Sequence, residues 1–331
     1  MSILKLAPAC KDYLWGGRKL IDDYHKRFDG ARLAETWELS CHEDGLSVIA
    51  EGAYAGETLK AYLARHPAAL GKAGGRFDDF PLLIKLIDAE RDLSVQVHPG
   101  DAYARAHEGQ SGKTEMWYVL SAAPDAYLYC GFARPLTREE FRARIEAGTL
   151  PEVLRRVNVK AGDVVFIPAG TIHAICRGIV VAEVQQSSNV TYRVCDYGRL
   201  GADGRPRALH IAQALEVTDL SAGAKQPDFG GHLARCAYFT ADLLRAPEET
   251  ACGAESFLSL LMLDGEGTVE CGGERVPARR GESLFLSAGS GTVRLTGTLR
   301  ALCTRAGVVY KAKREKRAEP VAPRAAAGVF V

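Results

Sequence analysis

The chain has 331 residues, of which 47% are hydrophobic and 25% charged, with a formal net charge of +1. These are the values of an ordinary globular protein, and the length suggests two domains rather than one. Near-neutrality gives no basic face for nucleic acid and no pull toward an acidic membrane surface, and no stretch approaches the roughly 20 apolar residues that cross a bilayer.

Met1-Ser2-Ile3-Leu4-Lys5 lacks the apolar core of a signal peptide. Thr58-Leu59-Lys60-Ala61-Tyr62-Leu63-Ala64 predicts a short helix that stops before Pro67. Pro81-Leu82-Leu83-Ile84-Lys85-Leu86-Ile87 reads as a buried strand holding one lysine, which either snorkels or serves a site. In Leu93-Ser94-Val95-Gln96-Val97-His98-Pro99, alternation sends Ser94, Gln96 and His98 to one side and Leu93, Val95 and Val97 to the other. Lys113, Glu115 and Trp117 share a face of the next run in the same way. A capping-box pattern at Thr137-Arg138-Glu139-Glu140, followed by Phe141, Ile145, Leu150, Val153 and Leu154 at helical intervals, predicts one or two helices over 137–156.

Gly162-Asp163-Val164-Val165-Phe166-Ile167-Pro168-Ala169-Gly170 leads to His173 and is echoed by Gly281-Glu282-Ser283-Leu284-Phe285-Leu286-Ser287-Ala288-Gly289. In both, a Gly-acid turn opens a strand and an Ala-Gly turn ends it, so two matching β modules follow. Thr292 stands where the first copy has His173. Other short β-branched and aromatic runs, at 178–185, 257–263 and 283–286, favour antiparallel sandwiches or barrels. Gly, Pro and polar residues mark a linker over 222–231, and the Lys-Arg-Glu-Lys-Arg tail reads as a solvated end. The nine cysteines, at 10, 41, 130, 176, 195, 236, 252, 271 and 303, are odd in number and never Cys-x-x-Cys. That predicts reduced thiols and a cytoplasmic setting, and argues against a cysteine-built zinc site.

Gln96, His98, Glu115 and His173 are the chemically informative set. Two imidazoles, a carboxylate and an amide oxygen suit Zn²⁺, with Mn²⁺, Fe²⁺ or Co²⁺ as alternatives. A neutral Gln leaves such a centre about one unit positive, which attracts an anionic or oxygen-rich ligand. His25, His66, His107, His210 and His232 read as structural histidines, and His42 as a weak candidate near the site. Trp15, Trp37 and Trp117 either wall a pocket or pack a core.

Gly162 to His173 is similar to the second cupin motif, Gly-Asp-x4-Pro-x-Gly-x2-His. More specifically, the chain resembles the type I phosphomannose isomerases. The resemblance runs through Tyr13-Leu14-Trp15-Gly16-Gly17, Ala34-Glu35-Thr36-Trp37-Glu38-Leu39-Ser40, Pro81 to Ala89, Leu93 to Pro99, Gly112 to Leu120 and Gln185 to Val194. It covers nearly all of 10–215, with a weaker likeness over 235–305, and matches the short bacterial branch that lacks a large helical domain. It implies a mainly β fold of two cupin-type jelly-roll barrels. The catalytic one would span 1–225, with the helical insertion near 137–156. The second, without metal ligands, would span 232–312, and a tail 313–331.

The resemblance further implies one Zn²⁺ per chain on Gln96, His98, Glu115 and His173, an essential Arg193, site lysines Lys85 and Lys113, and Ser94 on the phosphate side. The implied reaction is interconversion of mannose 6-phosphate and fructose 6-phosphate through a cis-enediol. In it Arg193 steadies the enediolate, and Lys113 acts as base or acid or binds phosphate; a nearby cation would lower its pKa. The implied partner is a phosphorylated hexose, with no nucleic acid or membrane, and the chain a monomer or weak homodimer. One departure stands out: some members carry an acid just before the arginine segment, where this chain has Ser187-Ser188-Asn189, so that acid's role does not transfer. The rivals are a non-haem iron cupin dioxygenase, since two His and one Glu also make a facial triad, and a non-catalytic sugar-phosphate-binding cupin.

Overall fold

Alternating apolar residues build four antiparallel sheets of seven, six, five and four strands in the computed structural model, which describes residues 3–201 and 204–307. The tail, 313–331, lies outside the described residues. The protein is mainly β, as expected, and its sheets stack in layers.

The six-stranded sheet centres on Leu82–Ala89 and Ile179–Gln186, paired from Ile179↔Ala89 to Gln186↔Leu82. Glu115–Ala122 and Glu35–Leu39 flank that pair. Facing it is the five-stranded sheet, which includes Val95–Val97, His173–Ile175 and Tyr192–Cys195. Ile87, Trp117, Val119, Leu128, Ile175 and Val181 fill the space between them. On the far side of the smaller sheet, Val95, Val97, Ala174 and Val194 meet Phe141, Ile145, Ala214 and Leu215 of the helices Arg138–Glu146 and Ile211–Val217.

The seven- and four-stranded sheets form the second module around Leu258, Leu260, Val269, Val293 and Leu295. The two larger sheets pack back to back, setting Ile84, Leu86, Met116 and Val184 against Phe239, Leu261, Phe285 and Leu302. Each such side chain contributes roughly 1.5–3 kcal/mol by leaving water, so this seam is a core and not a loose contact. Strand Ile3–Ala7 joins the second module's sheet, from Ile3↔Leu286 to Leu6↔Ser283. The start of the chain is thus stitched to its distant half.

The helix Leu59–Arg65 begins where Thr58 accepts from the Ala61 N–H at 3.1 Å. Thr137 caps the Arg138–Glu146 helix likewise, accepting from the Glu140 N–H at 3.1 Å. The helices expected over 137–156 stop earlier. After Glu146 the chain turns at Gly148 (φ +69°), makes one 3-10 turn at Leu150–Val153, and from Leu154 runs as a strand paired with Tyr127–Phe132. Partnership with a neighbouring strand overrides the helical spacing there.

The repeat is visible in the backbone. Gly162 (φ +94°) and Gly281 (φ +85°) take the left-handed turn that glycine tolerates, and each opens a strand, Val164–Ile167 or Ser283–Leu286. The first pairs with Glu115–Ala122 so that Ile167 opposes Glu115; the second pairs with Leu258–Asp264 so that Leu286 opposes Leu258. Leu258, fully buried, therefore stands where the first module has Glu115. With Thr292 in place of His173, the second module has hydrocarbon and a hydroxyl where the first has ligands.

Candidate active site

Parity delivers the polar side chains inward. Val95 and Val97 pack outward with the helices, while Ser94 and Gln96 line an internal cleft and His98 lies beside it. Leu93, expected beside the valines, instead joins the inner cluster, because the strand and its alternation begin only at Val95. Gln96 has His173 as cross-strand neighbour on one side and Arg193 on the other. Three strands thus bring together residues up to 97 positions apart.

One ligand atom each from His98, Glu115 and His173 lies within 4.8 Å of the others, and all three residues are buried. His98 Nδ1 donates to the Val190 carbonyl at 2.8 Å, and His173 Nδ1 donates to the Thr171 carbonyl at 2.9 Å. A carbonyl can only accept, so both protons sit on Nδ1 and both Nε2 lone pairs point inward. His173 Nε2 is 3.3 Å from Glu115 Oε1, and His98 Nε2 is 3.7 Å from Glu115 Oε2. Glu115 Oε1 is buried with no hydrogen-bond partner. Two inward-pointing imidazole nitrogens around an orphaned carboxylate oxygen form a donor set that fits a divalent cation. The Gln96 amide, its Nε2 3.5 Å from His173 Nε2, supplies an oxygen to the same point by rotation.

Lys113 donates to Glu115 Oε2 and sits 3.1 Å from His98 Nε2. Behind it Glu183, which the sequence reading did not single out, lies 3.9 Å from Lys113 Nζ and 3.5 Å from Lys85 Nζ. Lys85 is also 3.4 Å from Glu35, and each carboxylate is fixed by an indole: Trp117 Nε1 donates to Glu183 at 2.7 Å and Trp37 Nε1 to Glu35 at 2.8 Å. Burial alone would raise Glu183, but Lys113 and Lys85 outweigh it and hold the carboxyl below its ordinary range. Burial pulls Lys85 down, and Glu35 and Glu183 overcome that, lifting it above the usual lysine range. Glu115 goes the other way, pushed up by burial against the opposing pull of Lys113. The signal for Glu183 was available: Ile-Val-Val-Ala-Glu-Val sets one charge in an apolar strand, the same argument that drew attention to Lys85.

These groups face a cleft of about 300 Å³ that is also lined by Arg193, Arg207, Thr191 and Asn189. Arg193 Nε donates to Ser94 Oγ at 3.3 Å. Burial and the nearby Arg207 lower the Arg193 pKa. Arg207 and Arg199 both pair with Asp196 at 2.5 Å, which sets two guanidiniums on one carboxylate close to Arg193. All eight residues singled out from the sequence, Lys85, Ser94, Gln96, His98, Lys113, Glu115, His173 and Arg193, meet in or beside this cleft. Trp15 and Trp117 line it, whereas Trp37 is fully buried, with Lys85 5.0 Å from its ring. His42 lies outside the lining, 3.3 Å from Gln110.

Burial, and then Lys113, lower the His173 pKa to about 4 in the metal-free protein, and His98 falls well below its ordinary value for the same reasons. From about pH 6.5 down to 4 the unfolded chain takes up protons that the folded imidazole refuses, so stability present above 6.5 is lost across that window. The loss expected from His173 alone is on the order of 3 kcal/mol. With a chelator present, thermal midpoints should fall between pH 6.5 and 5 and fall less in His173→Gln; parallel profiles would contradict this.

Stacked β modules with a buried His-His-Glu cluster beside a cationic cleft define a cupin-type protein with a candidate metal centre. Residues 3–127 match the family described as phosphomannose isomerase type I, catalytic domain, and 231–305 match mannose-6-phosphate isomerase, cupin domain. The chain is 37% identical over 301 residues to mannose-6-phosphate isomerase ManA of Bacillus subtilis, covering 88% of this chain and 94% of that protein. It is also 37% identical over 288 residues to the mannose-6-phosphate isomerase of Streptococcus mutans, covering 82% and 88%. The crystal structure of the mannose 6-phosphate isomerase from Bacillus subtilis superposes with a TM-score of 0.84 at 32% identity, over 92% of this chain and 99% of that one. The chain belongs to the type I phosphomannose isomerase family and is an isomerase.

Proposed function

We propose that the cleft interconverts mannose 6-phosphate and fructose 6-phosphate through a cis-enediol, with a single Zn²⁺ on Gln96, His98, Glu115 and His173. The observation that carries this reading is the pairing of an orphaned Glu115 oxygen and two inward Nε2 atoms with a cationic cleft. A bound divalent ion supplies Lewis acidity, polarising the carbonyl and steadying the oxyanion that follows.

The remaining work falls to this chain's own groups. Forward reaction removes the C2 proton as O1 gains one, and the resulting enediol then takes a proton at C1 as the O2 proton leaves. Arg193, held by Ser94 at the cleft wall, donates to the developing enediolate. Lys113, beside Glu115 and His98 and 3.9 Å from Glu183, is the group that would give or take the proton as acid or base. Lys85, clamped by Glu35 and Glu183, is rigid enough to orient a sugar hydroxyl. The phosphate docks at the rim, with Ser94, where Arg193 and Arg207 line the cleft and Arg199 joins Arg207 on Asp196. A dioxygenase would have no use for this array of lysines and arginines.

In this reading 1–225 supplies the catalytic machinery and 232–312 the module that backs it. We read the chain as a monomer or a weak homodimer. All nine cysteines are free, in keeping with a cytoplasmic protein. Among the described residues no helix is long and apolar enough to cross a membrane.

A coupled assay that detects fructose 6-phosphate tests the proposal. Mannose 6-phosphate should be turned over, and mannose without its phosphate should lose at least about a thousandfold in kcat/KM, because the rim then binds nothing. Equal rates for both sugars, or no turnover of the phosphorylated one, would reject the assignment.

A further inference from the structure

Residues 99–114 carry the chain from His98 to Glu115, and Lys113 sits within that connection, which includes the helix Asp101–His107. The segment closes on itself at Gly112. A Cβ there would lie 2.6 Å from the Asp101 nitrogen and 2.9 Å from the Pro99 oxygen, so only glycine fits. The Asp101 carboxylate bonds three elements at once. Its Oδ1 accepts from the Gly112 N–H at 2.8 Å and from Gln186 Nε2 at 2.9 Å, and its Oδ2 accepts from the Tyr238 hydroxyl at 2.7 Å. The Gln186 amide has one orientation, because its oxygen accepts from the Thr114 N–H at 2.9 Å. The Lys113 N–H donates to the Pro99 carbonyl at 3.1 Å.

Lys113 therefore emerges between two residues, Gly112 and Thr114, whose backbones are tied directly or through Gln186 to one carboxylate. Tyr238 belongs to the second module, immediately before Phe239–Arg245. That module holds none of the candidate ligands, yet a hydroxyl from it reaches the segment that presents Lys113.

We propose that Asp101 is a positioning residue that fixes Lys113 against His98 and Glu115, and that Tyr238 makes the second module part of that support. The inference rests on the reading above that Lys113 serves the reaction. Charge-assisted bonds to three partners define the backbone path on both sides of Lys113, and misplacing a reacting group by about 1 Å can cost a hundredfold in rate.

The test is a steady-state isomerase assay on metal-loaded full-length protein, with rates expressed per bound ion. Asp101→Ala should lower kcat about tenfold or more, with KM changed less than about threefold and the ion retained. Asp101→Asn, which keeps an acceptor for Gly112, should recover most of that loss. Tyr238→Phe, which removes one half-buried oxygen, should cost about threefold and keeps the test open if Asp101→Ala fails to fold. In a Lys113→Ala background, adding Asp101→Ala or Tyr238→Phe should cost less than about twofold more, since both act through the missing ammonium. Undiminished losses in that background, or an Asp101→Ala effect confined to KM, would overturn the proposal. Wild-type turnover in Lys113→Ala would instead defeat the role given to Lys113, a distinguishable failure.

Discussion

Arg193→Ala should cut turnover by about a hundredfold to a thousandfold while leaving the metal content unchanged. The guanidinium is half-buried on the strand next to Gln96, and its fixed contacts are the Ser94 hydroxyl and the Ala208 carbonyl at 3.2 Å, not any of the four candidate ligands. Losing one aimed donor at a developing oxyanion typically costs that range. Lysine should rescue only part of the loss, because a single ammonium cannot hold Ser94 and an enediolate with the same fork. Metal analysis alongside kcat checks this: a proportional fall in both would make Arg193 a structural support for the site.

Much of the site was legible because β-strands obey strict parity. Ser94, Gln96 and His98 on one side, and Glu115 with Trp117 on another strand, had to face a common interior once the sheets paired. Of the eight residues named from the sequence, those within strands converge for that reason, whereas Ser94, His98 and Lys113 flank strand ends and are set by the adjoining connections. Glu183 was missed although its signal, a charge inside an apolar strand, matched that of Lys85. Glu35 stands within Ala34 to Ser40 with no spacing that marks it, and its indole-held contact with Lys85 gives it meaning. Arg207 and Asp101 were not legible: each gains its role from tertiary partners, Asp196 in one case and Gln186 and Tyr238 in the other. No period encodes such contacts.

The fold divides similarly. Two β modules followed from the Gly-acid repeat, and the apolar counterpart of Glu115 appears once Leu286 is seen opposite Leu258. That the two larger sheets would stack back to back, or that Ile3–Ala7 would pair with Ser283–Leu286, depends on long-range packing that local patterning leaves open. The helix expected to reach 156 failed at Leu154, where pairing with Tyr127–Phe132 outweighed intrinsic spacing.

Removing the metal should have the larger effect. Among the described residues the centre is the one place where two imidazole lone pairs and an unpartnered carboxylate oxygen converge, and Lewis-acid stabilisation of the oxyanion is worth several kcal/mol, with each 1.36 kcal/mol a factor of ten in rate. Chelation should lower turnover of mannose 6-phosphate by at least about a thousandfold. The direct measurement is a titration of Zn²⁺ back into the stripped protein, following activity and bound ion together, for the wild type and for His173→Ala. Activity that returns in proportion to bound ion and saturates at one per chain, with no return in His173→Ala, is the predicted result. Full turnover without the ion, or an equal return in His173→Ala, would contradict the account.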